Sequence, residues 1–296
     1  MICNTCEQTK LRREEKETAT EAERITGTMP LHQRVIDTWA EINSIMEGNH
    51  NFLYLDVKDK PTTGIGFLVP NLKAMYELPW MSHDANGQLR TASGAEIEAE
   101  WRWVNLKAGK KLRAEEFKRS ARLFLHSGSI KQIAHQRLLK FYGSVRGEGW
   151  GQFDSWNPNI QFMCMSICWA AGGEGLLKFK NMLKAILAKD YRAAAIESHL
   201  NEIGNKGLRP RNDLHVLLCE AADPAYAQAG RRSLNNGIWT KYSDLNKWLQ
   251  MSYKREASAT SPLTDPKFTH NWRSLVDVPD TENETTGPAE NPPTVS

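Results

Sequence analysis

Residues 159–171 leave no polar face: Ile160, Phe162, Met163, Met165, Ile167 and Trp169 spread apolar groups almost all the way round. A helix that is hydrophobic on every side has no surface to give to water, so other elements must wrap it. The chain is therefore expected to fold around a cluster of helices with this one at its centre. Segments 176–187, 191–203 and 212–222 carry helical spacing and supply the wrapping. So does 31–46, where Val35, Ile36, Trp39, Ile42 and Met46 recur at three- and four-residue intervals. Gly48 and Asn49 stop that helix and set Glu47 at its C-terminal end.

The rest reads differently. Residues 52–67 are short, aromatic and β-branched, broken by Asp59-Lys60-Pro61, which predicts a small twisted hairpin or three-strand ribbon. Residues 70–109 mix turns, Asp84-Ala85-Asn86-Gly87 among them, with a helix that starts after Ser93 and carries Ile97, Trp101 and Val104. Residues 115–145 read as two helical pieces split near Ser127-Gly128-Ser129. A weaker region follows with Trp239, Tyr242, Leu245 and Trp248. The fold class expected is α+β and predominantly helical.

At 296 residues the chain can bury a substantial core. Its 25% charged and 40% hydrophobic residues are ordinary for a globular protein. A net charge of +3 is too small to argue for nucleic acid. The basic stretch 101–150 sets twelve Lys or Arg against Glu115, Glu116 and Glu148, which fits a solvated helix face or attraction to an anionic polymer. No apolar run approaches the ~18 residues of a membrane span, so no insertion is expected. The first 27 residues lack the apolar segment of a secretory signal. Five cysteines, an odd count, do not make a disulfide framework. Cys3 and Cys6 form a lone C-x-x-C without the other ligands of a zinc site, and Cys164 and Cys168 read as core thiols.

The chemistry concentrates in residues 45–67. Glu47 ends a helix, Asp56 follows nine positions later, and Thr62 six after that, with Gly64 and Gly66 close behind. Two carboxyls in different surroundings are what glycosidic cleavage requires: one gives a proton to the leaving oxygen and the other serves the opposite face of the sugar. Glu47, at a negative helix terminus beside an apolar ribbon, is expected to have its neutral form favoured. Asp56, in the polar half of the ribbon beside Lys58, is expected to stay ionised. The glycine pair is expected to let backbone approach the saccharide.

These residues resemble the signature of the T-even phage-type lysozymes: an acid ending the first helix, an acid nine on, a Thr six further, and the turn Thr62-Thr63-Gly64-Ile65-Gly66. A second block agrees in order: the buried segment 158–169, the turn 172–175, a helix with Phe179, a segment 190–197, and Leu208-Arg209-Pro210-Arg211-Asn212. Together they cover about 31–220. The resemblance implies a two-lobed phage-type lysozyme fold with the ribbon in the N-terminal lobe, joined to the helical lobe through 129–145. It implies hydrolysis of the bond between N-acetylmuramic acid and N-acetylglucosamine with inversion. Glu47 would be the general acid, Asp56 the group that activates water, Thr62 its positioning hydroxyl, and Leu68 and Trp169 the walls that bind the glycan. No metal or organic cofactor is implied. Two departures stand out: Phe67 where relatives carry an ion-pairing His, and Ala170 where an amide often faces the cleft.

The organisation expected is a flexible arm over 1–30, a catalytic domain over 31–252, and a largely disordered extension over 253–296. The expected partner is the glycan strand of peptidoglycan. Without a signal segment the protein would be made in the cytoplasm and delivered to the periplasm. An endolysin, a particle-borne lysozyme and an effector of type VI secretion all fit. An effector adds a delivery apparatus and a cognate immunity protein. A lytic transglycosylase, needing only Glu47, and a silent glycan-binding or structural protein are the alternatives.

Overall fold

The computed structural model describes residues 31–147, 150, 152–224, 250, 252–254 and 256–260. The arm over 1–30, the Cys3–Cys6 pair, the segment holding Trp239 to Trp248 and the chain from 261 on lie outside the described residues. What is described is α+β and predominantly helical, with two small antiparallel sheets.

The centre is α6 (Pro158–Ala171), in which ten consecutive residues from Asn159 to Cys168 are buried. Asn157 caps its start by accepting from the Asn159 amide at 2.9 Å, and Gly172 at φ +79° ends it. Around it lie α1 (Gln33–Glu47), the end of α5 (Ser127–Gly147), α7 (Gly173–Leu176) and α10 (Leu208–Ala222). The helices α8 (Lys180–Leu187) and α9 (Tyr191–Glu197) pack on each other, and α9 rests on α10. Helix α1 faces this cluster with Val35, Trp39, Ile42 and Met46, one side of a helix at 3.6 residues per turn. Trp39 meets Phe162 at 5.0 Å between ring centroids. Cys164, Cys168 and Cys219 are buried free thiols inside the cluster, and burial pushes all three up, Cys168 to about 12.

The ribbon is three-stranded: β1 (His50–Leu55), β2 (Pro61–Gly64) and β3 (Phe67–Leu68), all antiparallel. Its first strand buries Phe52 to Leu55 without alternation. The reason is that α3 (Gly94–Asn105) and α4 (Ala114–Lys118) cover its outer side, and a strand buried on both faces loses the period-2 pattern. Helix α3 starts at Ser93, whose hydroxyl and Glu96 form a reciprocal capping box.

A second sheet went unread in the sequence. It pairs β4 (Trp80–His83) with β5 (Leu89–Thr91) and β6 (Phe124–Leu125), after the short α2 (Leu72–Tyr76). The Asp84–Gly87 turn is its hairpin. The expected break at Ser127-Gly128-Ser129 also moves: those residues lie in the first turn of α5, and the helix stops earlier, after Lys118. Pairing of Leu125 with Trp80 takes the intervening chain out of helix, a tertiary contact that local propensity cannot announce. Two later helices have different limits as well. Helix α9 ends at Glu197, short of residue 203, and α10 starts at Leu208 with Pro210 in its first turn, where a missing N–H costs nothing.

Candidate active site

Four elements converge on one carboxylate. Glu47 is the last residue of α1, and Gly48 at φ +76° turns the chain away into β1. Its Oε1 accepts from Arg211 Nη2 on α10. Its Oε2 faces Gly66, in the turn before β3: a Cβ built on that glycine would stand 3.4 Å from Oε2 and 3.5 Å from the Trp169 indole nitrogen at the end of α6. The Glu47 side chain keeps 31% of its surface exposed. The dry, apolar setting expected for it is therefore absent. A guanidinium holds one oxygen and solvent reaches the other side.

Arg211 is 1% exposed and carries the site's interior. Its Nη1 donates to the Ser166 carbonyl at 2.9 Å and to Ser166 Oγ at 2.6 Å. The same hydroxyl lies 3.0 Å from His215 Nε2, one turn further along α10. The order Glu47–Arg211–Ser166–His215 is thus a polar chain running from the surface into the core. Burial first, then the neighbouring Arg211, lowers His215 to about 3, so the imidazole stays neutral. The sequence named Arg211 only as part of a motif. Its position was informative all the same: three before Leu214 and seven before Leu218, it occupies the apolar stripe of α10, where a cation persists only with buried partners.

Asp56 sits at the turn between β1 and β2. Its Oδ1 accepts from the Lys58 and Lys60 amides, both at 2.8 Å, and its own amide donates to the Lys60 carbonyl at 2.9 Å. No hydrogen bond to Oδ2 is found among the described residues. Thr62 pairs with Tyr54 on one side and Leu68 on the other, and its hydroxyl donates to the Lys60 carbonyl at 2.9 Å. The hydroxyl proton is therefore engaged, which leaves the oxygen of this buried residue to act as an acceptor. Tyr54 links the two acids: burial, then Glu47, then Asp56 raise its phenol, so both carboxylates act on one ring. Glu47 precedes β1 and Asp56 follows it, so the two acids flank this strand from its two ends, with Thr62 beside Tyr54 near the Asp56 end.

Leu68 is 45% exposed on β3 and Trp169 is half-buried. Trp169 is fixed edge-on by Trp39, Phe67 and Phe141 at 5.6, 5.9 and 6.1 Å. Phe67 is fully buried, and the Arg137 guanidinium of α5 lies 4.8 Å from its ring centroid while Arg137 Nη2 donates to the Leu68 carbonyl at 3.1 Å. In place of the ion pair through a histidine that the resemblance implies, this chain ties ribbon to helix with a cation over a ring. Ala170 is exposed and offers no hydrogen bond there.

The two glycines meet different neighbours. A Cβ on Gly64 would come within 2.5 Å of the Phe67 ring, and its φ is +57°. Gly64 thus makes room for Phe67 and for the turn. Gly66, at φ +80°, is the one that clears the carboxylate.

Among the described residues no group of three or more His, Cys, Asp or Glu is placed to hold a metal ion, and no helix is long and apolar enough to cross a membrane. Comparison with family models finds no match for the chain, and comparison with curated proteins finds none.

Proposed function

We propose that the chain is a peptidoglycan hydrolase of the phage-type lysozyme fold, an N-acetylmuramidase that cuts the β-1,4 bond between N-acetylmuramic acid and N-acetylglucosamine with inversion. The observation that carries the reading is the setting of Glu47. A carboxyl 31% exposed is held by a buried arginine and clamped beside a glycine turn and an indole, and a second carboxyl at the other end of β1 acts on the same tyrosine, Tyr54.

The geometry constrains the chemistry. Arg211 can only donate, so the proton that Glu47 gives to a glycosidic oxygen sits on Oε2, the oxygen beside Gly66. The leaving oxygen must then approach over the Gly66 backbone, with Trp169 and Leu68 as apolar contacts for the sugar rings. Asp56 takes a proton from water through Oδ2, while the Thr62 oxygen accepts the water's other hydrogen. Delivery of the protein to the cell wall belongs to the same reading and leaves endolysin, particle-borne lysozyme and injected effector as its forms.

Purified peptidoglycan treated with the protein should yield muropeptides with free reducing ends. Release of 1,6-anhydro ends alone would overturn hydrolysis. A specific observation supports that second reading, a lytic transglycosylase: the bonds of Asp56 Oδ1 are those of a hairpin turn and recur at Asp84, where Oδ1 accepts from the Asn86 and Gln88 amides at 2.8 Å. If Asp56 only builds the turn, Glu47 acts alone.

A further inference from the structure

Tyr253 lies 207 positions along the chain from Met46, yet its hydroxyl donates to the Met46 carbonyl at 2.8 Å. That carbonyl is in the last turn of α1, one residue before Glu47. The helix stops there, so no intrahelical amide follows to take it. At its other end Tyr253 accepts from Arg209 Nη1 through its backbone carbonyl, at 3.1 Å. Arg209 precedes Arg211 by two residues on α10. One residue therefore bridges the two helix ends that carry the two halves of the Glu47–Arg211 ion pair.

The segment is anchored a second time. The Ser258 amide donates to Glu202 Oε1 at 2.8 Å, and the Ser258 carbonyl lies 3.2 Å from His199 Nε2. Both partners lie between α9 and α10, so Tyr253 and Ser258 both lie along this side of the helical cluster. The Tyr253 phenol is pushed up by burial first and by Glu47 second, with Arg211 opposing, which places the ring beside both members of the pair.

We infer that Tyr253 is a positioning residue for Glu47: it fixes the end of α1 against α10 so that Arg211 grips Oε1 and leaves Oε2 toward Gly66. The segment beyond the helical cluster thereby becomes part of the catalytic apparatus, a role that neither the Glu47–Asp56–Thr62 pattern nor its spacing indicates. The inference rests on Glu47 being the proton donor.

Tyr253→Phe in the full chain tests it, since the ring keeps its packing and only the hydroxyl is lost. Two readouts separate this inference from the reading beneath it. The first is the guanidinium nitrogen resonances of Arg211 in ¹⁵N NMR, with Glu47→Ala as the reference in which the acceptor for Nη2 is gone. A gripped guanidinium gives resolved Nη signals because its rotation is hindered. In Tyr253→Phe these should broaden or merge toward the Glu47→Ala pattern. The second is turnover on soluble glycan strands, where kcat should fall about ten- to a hundredfold with KM little changed, the cost of a displaced catalytic group. Arg211 signals identical to wild type in Tyr253→Phe would overturn the positioning role, whether or not the protein cleaves glycan. A wild type that releases no muropeptide would overturn the hydrolase reading, and the resonances would still decide the contact.

Discussion

Asp56 and Asp84 head the same turn. Each accepts from the amides two and four residues ahead at 2.8 Å, and each donates its own amide to the carbonyl four ahead at 2.9 Å. The aspartate side chain pays for its place in either hairpin through Oδ1 alone. What distinguishes Asp56 is its neighbourhood, since its charge reaches Tyr54, on which Glu47 also acts. Asp56→Asn keeps an Oδ1 acceptor and hence the turn, but removes the charge that takes a proton from water. Its hydrolysis rate should drop about 100-fold with melting unchanged, the scale of a lost general base. Asp84→Asn should leave the rate alone. Equal rates for Asp56→Asn and wild type would move the chemistry to the transglycosylase. Gly66 gives a second test at this scale. Gly66→Ala places a methyl group 3.4 Å from Glu47 Oε2 and forces a φ of +80° on a residue with a Cβ. The loss should be at least about tenfold in turnover on glycan, checked against retained near-UV circular dichroism. Full activity would mean that the leaving oxygen does not pass over this turn.

Helix α10 carries an unusual load for one element: Arg211, Asn212, Asp213 and His215 are all buried in it. Such groups are tolerated only with partners, and Asn212 shows how, bonding the Leu200 amide and carbonyl at 2.9 and 2.7 Å. His215 makes the element acid-sensitive, and the sign can be worked out. Its pKa is about 3 in the folded protein and about 6.5 when unfolded, so between these values only the unfolded chain takes the proton. Stability from this group is full above about pH 6.5, falls as pH drops through the window, and is lost at its lower end. Denaturant unfolding of wild type and His215→Gln from pH 7 to 4 should show the wild type losing stability more steeply, by up to ~1.4 kcal/mol per pH unit. Parallel curves would mean that His215 is not held neutral. At this scale much was legible. The stripe on α1 and the apolar run of α6 are strong patterns because each buries one continuous surface. The second sheet was not, because its strands are two to four residues long and β6 is separated from β4 by two helices. Nothing local marks a pairing made across that distance.

In the whole molecule, Glu47 stands where α1, the ribbon, α6, α10 and Tyr253 meet. The acids and the hydroxyl were readable because they are close in sequence, spaced nine and six apart. Their support was not, because it comes from residues 166, 211 and 253, which spacing cannot connect. A carboxylate placed by so many distant parts is a costly arrangement to keep for packing alone, and it gives the central claim its sharpest test. Glu47→Gln preserves shape and can still accept from Arg211 but has no proton to transfer. Wild-type protein and Glu47→Gln should be incubated with purified sacculi and the soluble muropeptides counted by mass spectrometry. Wild type should release them with reducing ends, and Glu47→Gln should be slower by at least ~100-fold at an unchanged melting temperature. Release by Glu47→Gln at the wild-type rate would contradict the assignment of Glu47 as the proton donor.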